Sequence, residues 1–307
     1  MAWRYVAGVD RLEEMLTRLV PSLGPLEGQP AALSGGITNH NFRAMLGGVE
    51  YVVRVHGKDT ELLGIDRQTE GIAAQAAAEL GIAPELAATL EDCLVTRFVA
   101  SEPVSAQELA ARVGEIARAL RRFHDAPLQL PTRFWVPDLL QRYAAAVDAS
   151  GERGDSLPPA YGQALTVAAR IATVLPLAHA RPCHNDLLAA NIIRARDDGR
   201  LLIVDWEYAG MGHPYFDLGN LSVNNHFGDA EDERLLAAYL ERPPSDVQRA
   251  ALKLMRLLSD AREAAWGVVQ SRVSELDFDF ERYADEHFER LLSAAAQPDF
   301  EEWLAAA

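Results

Sequence analysis

The sequence HNDLLAAN at residues 184–191, with Asp205 after the next apolar run, is the strongest indicator of architecture in this chain. Residues 192–196 and 200–204 predict two short strands. The tripeptide DDG between them predicts a three-residue hairpin loop with glycine in the left-handed conformation. Asn191 and Asp205 are equally far along the chain from Asp198. We therefore expect them to lie opposite each other, with Cβ atoms about 5 Å apart.

This arrangement collects side chains that are suited to moving a phosphoryl group. Asp186 offers a carboxylate that can orient an attacking hydroxyl and receive its proton. Asn191 and Asp205 offer the oxygen ligands that Mg²⁺ prefers. The alternative for Asp186 is a loop aspartate that caps a turn, but its two companions favour chemistry. The set predicts phosphoryl transfer from a nucleotide to a hydroxyl, with Mg²⁺ as cofactor. His184 is expected to hold the loop through hydrogen bonds.

Length and composition set the broad class of the protein. The chain has 307 residues, 49% of them hydrophobic, which is enough for two lobes. Its net charge of −16 argues against nucleic acid as a partner and is compatible with either a cationic small substrate or solubility alone. Cys93 and Cys183 match no metal or disulfide spacing, and the acidic N-terminus is unlike a signal peptide, so we expect a cytoplasmic protein. No apolar run is long enough for membrane insertion.

Apolar periodicity predicts an α+β fold with two parts. Residues 1–97 are expected to form a strand-rich N-terminal lobe that binds nucleotide phosphates, and residues 98–307 a helical lobe with the catalytic loop, metal and acceptor sites. Predicted strands are 31–33, 42–46, 49–55 and 93–99, with Gly47-Gly48 joining two of them. Predicted helices are 9–20, 67–80, 106–124, 137–148, 160–174, 231–240, 246–270 and 280–294.

Candidates for nucleotide binding lie in the N-terminal part. The turn SGGITN at residues 34–39 could hold phosphate through its backbone N–H groups, although two glycines between strands usually mark only a turn and no P-loop pattern is present. Arg54 on the next strand could contact the nucleotide phosphates. Glu70, early in the following helix, could pair with Arg54 and fix its position. The alternative is a surface arginine and a solvated glutamate.

Candidates for acceptor binding are the aromatic residues Tyr208, Trp266 and Tyr283. Aromatic faces bind quaternary ammonium groups, each contributing about 0.5 to 2 kcal/mol. Core packing explains Trp266 and Tyr283 equally well from the residues alone. Glu207 and Asp217 could add negative charge beside this group, or Asp217 could brace the loop by capping a turn before the following helix.

Several segments resemble the choline/ethanolamine kinase family of the bacterial type, within the wider aminoglycoside phosphotransferase and protein-kinase-like group. The resemblance runs from about residue 31 to residue 294. It is carried by the strings LSGGITNHNF, YVVRVHG, HNDLLAAN, VDWEYAGMGHPYFDLGN and WGVVQSRVSELDFDFERYA. It implies a two-lobed protein-kinase-like fold, with a small antiparallel sheet in the N-lobe and a larger, mostly helical C-lobe.

The resemblance also implies a role for each matching residue. Asp186 is the base, and Asn191 and Asp205 are the Mg²⁺ ligands. The remaining roles are a glycine loop (Gly35, Gly36, Thr38, Asn39), a phosphate contact and its partner (Arg54, Glu70), an adenine-binding hinge (Thr96, Arg97, Phe98) and a choline cage (Tyr208, Trp266, Tyr283). The resemblance therefore favours ATP as the phosphoryl donor and choline as the acceptor.

The chain departs from the family pattern in the cage. Glu263 stands where eukaryotic members have a second tryptophan, which could replace a cation–π contact with an ionic one and suit ethanolamine. Other acceptors left open are thiamine, an aminoglycoside and a sugar-like metabolite. A non-catalytic ligand-binding protein is a weaker alternative, and a protein kinase weaker still, because no Asp-Phe-Gly sequence follows. A homodimer is left open.

Overall fold

The computed structural model describes residues 9–33, 40–57, 62–149, 157–274 and 276–307, without the side chains of residues 9–11 and 148–149. The predicted glycine loop, with Gly35, Gly36, Thr38 and Asn39, lies outside the described residues.

Strands precede most of the helices along the chain. The strands are β1 (Leu26–Ala32), β2 (His40–Leu46), β3 (Val49–Val55), β4 (Leu86–Thr89), β5 (Cys93–Arg97), β6 (Ser101–Pro103), β7 (Arg181–Cys183), β8 (Ile192–Ala195), β9 (Leu201–Ile203) and β10 (Gly210–Gly212). The helices are α1 (Val9–Leu23), α2 (Arg67–Glu79), α3 (Ala106–Ala111), α4 (Val113–His124), α5 (Val136–Ala149), α6 (Pro159–Val174), α7 (Pro214–Asn224), α8 (Asp229–Leu240), α9 (Asp246–Val273), α10 (Phe280–Ala295) and α11 (Pro298–Ala306). Short 3₁₀ turns cover Ala189–Asn191 and Trp206–Tyr208.

The N-terminal part is an antiparallel sheet in the order β1-β2-β3-β5-β4. One face packs against α1, whose Leu12 and Met15 are buried with Phe42 and Val53 of the sheet. Since strand side chains alternate between faces, Arg54 leaves β3 on the side opposite Val53, toward the rest of the molecule. The prediction of 31–33 as the first strand was too short, because β1 begins at Leu26 and includes Pro30.

Helix α2 places the predicted partner of Arg54. Asp66 caps the helix by accepting the Thr69 N–H at 2.6 Å, so the first turn is fixed in the loop after β3. Glu70 falls in that first turn and is 1% exposed.

The division of the chain at residues 97 and 98 stays a prediction; β5, an inner strand of the sheet, ends at Arg97.

The hairpin β8–β9 has a different register from the one expected. Ile192 pairs with Ile203, and the loop between the strands has four residues, 196–199, rather than three. Gly199, with φ +71°, donates its N–H to the carbonyl of Ala195 and closes that longer loop. As a result Asn191 lies opposite Val204, so the expectation that it faces Asp205 directly was wrong by one residue.

The helical part is organised around α9, a 28-residue helix that begins at the capping serine Ser245. Helix α7 crosses it closely at Gly219, where a Cβ atom would lie 2.7 Å from the Met255 backbone. Glycine is therefore required for this approach. The helix predicted at 106–124 is two helices, α3 and α4, that meet at Arg112. Within the described part of the chain, no helix is long and apolar enough to cross a membrane.

Candidate active site

The segment His184–Leu187 is held by α7. Asp217, fully buried, accepts the backbone N–H groups of His184 at 2.8 Å and Asn185 at 2.7 Å. His124 of α4 approaches the same carboxylate at 2.9 Å. Burial alone would raise the pKa of Asp217, but the hydrogen bond and charge of His124 outweigh it and lower that pKa. Asp217 thus braces the loop, as the sequence suggested, by binding the loop backbone itself.

His184 is a structural member of the loop. Its Nδ1 accepts the backbone N–H of Asp186 at 3.1 Å, and its Nε2 lies 3.0 Å from the Val204 carbonyl. An accepting Nδ1 and a donating Nε2 define one neutral tautomer. Burial lowers the pKa of His184, which keeps that neutral form. The imidazole therefore links the loop to the end of β9 without titrating near neutral pH.

Asp186 is 7% exposed and is held from two sides. Asn191 donates its amide N–H to the Asp186 side chain at 3.0 Å and to its carbonyl at 2.8 Å. Arg262 of α9 donates to the other carboxylate oxygen at 3.1 Å. Burial raises the pKa of Asp186 to about 7, with Arg262 opposing the shift and Glu263 adding to it. A fixed carboxylate with this proton affinity is suited to general-base chemistry.

Asn191 and Asp205 present the donor types that a divalent cation requires. The Asn191 amide nitrogen is directed at Asp186, which leaves its oxygen for another partner. Asp205 has φ +68°, a left-handed conformation that is uncommon for a residue with a side chain. This strained backbone turns the carboxylate out of the line of β9. One amide oxygen and one carboxylate fit Mg²⁺, which takes its other ligands from water and phosphate.

Arg54 joins the sheet to this region. It forms an ion pair with Asp205 and a second one with Glu70 at 3.2 Å. The predicted partnership with Glu70 is therefore present. Burial opposes the charge of Arg54, but Asp205 and Glu70 outweigh it and raise its pKa. Arg67 bridges Glu70 at 2.7 Å and Glu207 at 3.2 Å, so Glu207, expected beside the acceptor, belongs to the same ionic group.

The predicted hinge, residues 96–98, consists of the last two residues of β5 and the residue after it. The backbone N–H of Arg97 donates to the Glu85 carbonyl at 2.8 Å, and that of Phe98 donates to the Glu50 carbonyl at 2.9 Å. Thr96 lies within the sheet, between Val52 and Leu86. These two amides are therefore engaged inside the N-terminal part. The role of this segment in adenine binding stays a prediction.

The predicted cage residues are contiguous in space. Trp266 donates its indole N–H to the Tyr208 hydroxyl at 3.0 Å and meets Tyr283 edge-on, with ring centroids 5.7 Å apart. Tyr283 donates its hydroxyl to Glu263 at 2.8 Å. Arg262 links this group to Asp186, since its guanidinium lies over Tyr208 and donates to both Glu263 and Asp186. The structure therefore brings three aromatic rings and one buried carboxylate together beside the candidate base.

Arg262 is the residue of this site that the sequence analysis missed. Its guanidinium lies over the Tyr208 ring, 4.3 Å from the centroid, and also donates to Glu263 at 2.7 Å. A signal was available, since Arg262 and Trp266 are four residues apart on one helix and share a face. Arg262 is the one cation in the segment 261–265, and nothing in the sequence indicates a role for it at the surface.

This fold, with a braced catalytic loop between a five-stranded sheet and a helical part, is that of a protein-kinase-like phosphotransferase. The chain belongs to the phosphotransferase enzyme family, whose model matches residues 30–254. It is 28% identical over 278 residues to ethanolamine kinase 2 of Mus musculus, covering 80% of this chain and 70% of that protein.

Solved structures extend the comparison over nearly the whole chain. A choline/ethanolamine kinase family protein from Mesorhizobium loti superposes with a TM-score of 0.78 at 29% identity, covering 97% of this chain and 98% of the other. Choline kinase LicA from Streptococcus pneumoniae gives a TM-score of 0.76 at 24% identity, covering 93% and 99%, and supports the fold alone. The predicted family and protein-kinase-like fold are thus confirmed.

Proposed function

We propose that this protein transfers the γ-phosphoryl group of ATP to the primary hydroxyl of a small amino alcohol. Choline is the acceptor that the sequence predicts, and ethanolamine is the main alternative. One observation carries the proposal: the buried carboxylate of Asp186 is hydrogen-bonded to Asn191, a candidate cation ligand, and is linked through Arg262 to Glu263 and the aromatic group. The family membership supports the phosphotransferase chemistry, and the similarity to ethanolamine and choline/ethanolamine kinases supports the acceptor class.

The residues act in a single displacement. The acceptor hydroxyl donates a hydrogen bond to Asp186, its oxygen forms a bond to the γ-phosphorus, and the bond from that phosphorus to the β–γ bridging oxygen breaks. The hydroxyl proton passes to Asp186, and ADP is the leaving group. Asn191 and Asp205 would hold Mg²⁺, which supplies charge neutralisation at the phosphates when bound.

Arg54 is the cation available on the nucleotide side. It is buried, paired with Glu70 and already next to Asp205. We assign it to the nucleotide phosphates, because an arginine held by a second residue keeps its charge and orientation. Glu70 then positions the guanidinium of Arg54, and the phosphate oxygens compete with Asp205 for this guanidinium.

The acceptor ammonium is assigned to Glu263 and the aromatic group. Glu263 is 2% exposed and is bonded to Tyr283, so its carboxylate has a fixed direction. A buried carboxylate attracts an ammonium more strongly than an exposed one because water does not screen it.

The two free thiols, Cys93 and Cys183, are buried, which supports the cytoplasmic location proposed from cysteine usage.

The test is ADP release with ATP and Mg²⁺ against choline, ethanolamine, thiamine and an aminoglycoside in parallel. Saturable turnover with choline or ethanolamine supports the proposal. Turnover with thiamine or the aminoglycoside alone would keep the phosphoryl chemistry and discard the acceptor class. ATP binding without turnover on any acceptor would favour a ligand-binding protein and contradict the proposal.

A further inference from the structure

The most unusual group in the site is Arg262, because it places a permanent positive charge where an acceptor cation would be expected. The guanidinium covers Tyr208 at 4.3 Å, so this ring face is not open to a quaternary ammonium. The residue is 2% exposed and touches the candidate base itself. Burial of such a charge costs several kcal/mol unless its donors are satisfied, which makes each hydrogen bond of Arg262 informative.

Only one side of the guanidinium is satisfied. Nη1 donates to both Asp186 and Glu263. Nε and Nη2 are buried and have no hydrogen-bond partner among the described residues. These two nitrogens form one edge of the planar group, and their parallel N–H bonds match the two oxygens of a carboxylate or phosphate. A complete bidentate edge therefore lies unpaired beside the hydroxyl-activating residue.

The charges around the edge favour an acceptor with two charges of opposite sign. Glu263 offers a carboxylate for an ammonium, and Arg262 offers the fork for an oxyanion. Both are on α9, one residue apart, and both are joined to the side chain that would orient the hydroxyl, directly or through Arg262. A simple amino alcohol would engage Glu263 and leave the fork unpaired. An acceptor that also carries a carboxylate would satisfy both.

We propose that the physiological acceptor is a zwitterionic hydroxy amine, in which a carboxylate is bound by the Nε–Nη2 edge of Arg262 and the ammonium by Glu263. This inference rests on the proposed function, since it specifies the acceptor of the same phosphoryl transfer. Arg262 would then determine specificity, and it would touch both the acceptor and Asp186. Its stacking on Tyr208 fixes the plane of the fork.

The test compares acceptors that differ only by a carboxylate: L-serine with ethanolamine, and L-homoserine with 3-aminopropan-1-ol. In the wild-type protein, we expect kcat/KM for the carboxylated member of at least one pair to exceed that of its partner by about tenfold or more. In Arg262→Lys, which keeps the cation and loses the fork, that ratio should fall at least tenfold. Effects on Asp186 act on both members and cancel in the ratio.

Arg282→Met is the matched control, because Arg282 is an exposed arginine beside Tyr283 whose partner is Glu286. Its ratio should equal the wild-type ratio. Turnover of ethanolamine or choline with no preference for either carboxylated member would overturn this inference and leave the proposed function intact. A lower kcat on every acceptor with an unchanged ratio in Arg262→Lys would assign the fork to the transferred phosphoryl group, which also overturns it. No turnover on any acceptor would instead overturn the proposed function.

Discussion

Buried charges are paired differently on the nucleotide side and on the acceptor side of Asp186. On the nucleotide side, two arginines and three carboxylates from the sheet, α2 and the segment after β9 form a branched group of ion pairs. On the acceptor side, a single arginine serves two carboxylates and a tyrosine ring, all from α9 and two short segments. Among the described residues, Arg54 leaves only its Nε without a hydrogen-bond partner, whereas Arg262 leaves the whole Nε–Nη2 edge unpaired. Specificity is thus expected to lie on the acceptor side.

The largest effect is expected from Asp186→Asn, which removes the proposed base between the two sides. The substitution keeps the size of the side chain and an oxygen for the Asn191 hydrogen bond, so the fold should persist. General-base catalysis contributes about 10²- to 10⁴-fold, and kcat should fall by that amount with every acceptor. Steady-state ADP release measures it. Asp198→Asn, in the exposed hairpin loop, is the control, and wild-type kcat in the Asp186 variant would contradict the assigned role.

The next-largest effect, from Arg54→Met, distinguishes the nucleotide side from the acceptor side. Arg54→Met should raise KM for ATP or lower kcat by about 10- to 100-fold, because one charge-assisted contact to phosphate is worth roughly 1.5 to 3 kcal/mol. KM for the acceptor should change little. Initial rates with each substrate varied in turn give both constants. Arg18→Met, which removes an exposed arginine of α1 paired with Asp92, provides the comparison. Equal changes in both KM values would show that Arg54 only holds the sheet against the helical part.

Trp266→Leu is the matching change on the acceptor side. It keeps an apolar side chain in the core but removes the ring and the hydrogen bond to Tyr208. A lost cation–π contact of about 0.5 to 2 kcal/mol corresponds to roughly a 2- to 30-fold rise in KM for the acceptor. KM for ATP should stay within about twofold. If both constants rise together, or if only the free energy of unfolding falls, Trp266 has a packing role and the cage assignment is wrong.

The two sides were also unequally predictable from sequence. The candidate base and cation ligands lie within 20 positions of one another, from Asp186 to Asp205, so spacing and hairpin geometry sufficed to group them. Even there the register was wrong by one, because Gly199 could close a loop of three or four residues equally well in sequence terms. Arg54 and Glu70 were paired correctly because Arg54 lies near the end of β3 and Glu70 in the first turn of α2, the next element along the chain.

The acceptor side depends on contacts between distant segments, which no local pattern encodes. Arg262 meets Asp186 across 76 positions and Tyr208 across more than 50. The orientation of α9 that makes these contacts is set by the close approach at Gly219 and by packing of α10. The sequence predicted a helix near Asp217 but not where α7 begins and ends. The reason is that the buried Asp217, Asn220 and Ser222 interrupt its apolar stripe. Buried polar residues of this kind serve the loop rather than the core.

The smallest effect concerns the support of the catalytic loop by α7. His213 caps this helix by accepting the Tyr215 N–H on Nδ1 at 3.2 Å, which requires a neutral ring. Burial, with the nearby charge of His124, lowers the pKa of His213 to about 4, from an ordinary value near 6.5. The unfolded chain therefore binds a proton between these values and the folded protein does not. Stability is complete above pH 6.5 and is lost as the pH falls toward 4.

His213→Asn keeps an acceptor for the cap and removes the titration, so it tests this linkage directly. A shift of this size corresponds to at most about 3 kcal/mol, and the partial exposure of the ring reduces it to about 1 to 2 kcal/mol. On going from pH 7.5 to pH 5, the free energy of unfolding should fall by about that much more in the wild type than in the variant. His56, whose pKa is also lowered to about 4, is present in both proteins and cancels. His179→Asn, at an exposed position, should behave as the wild type. Parallel pH profiles for wild type and His213→Asn would show that the α7 cap does not limit acid stability, and that the brace on Asp217 is independent of it.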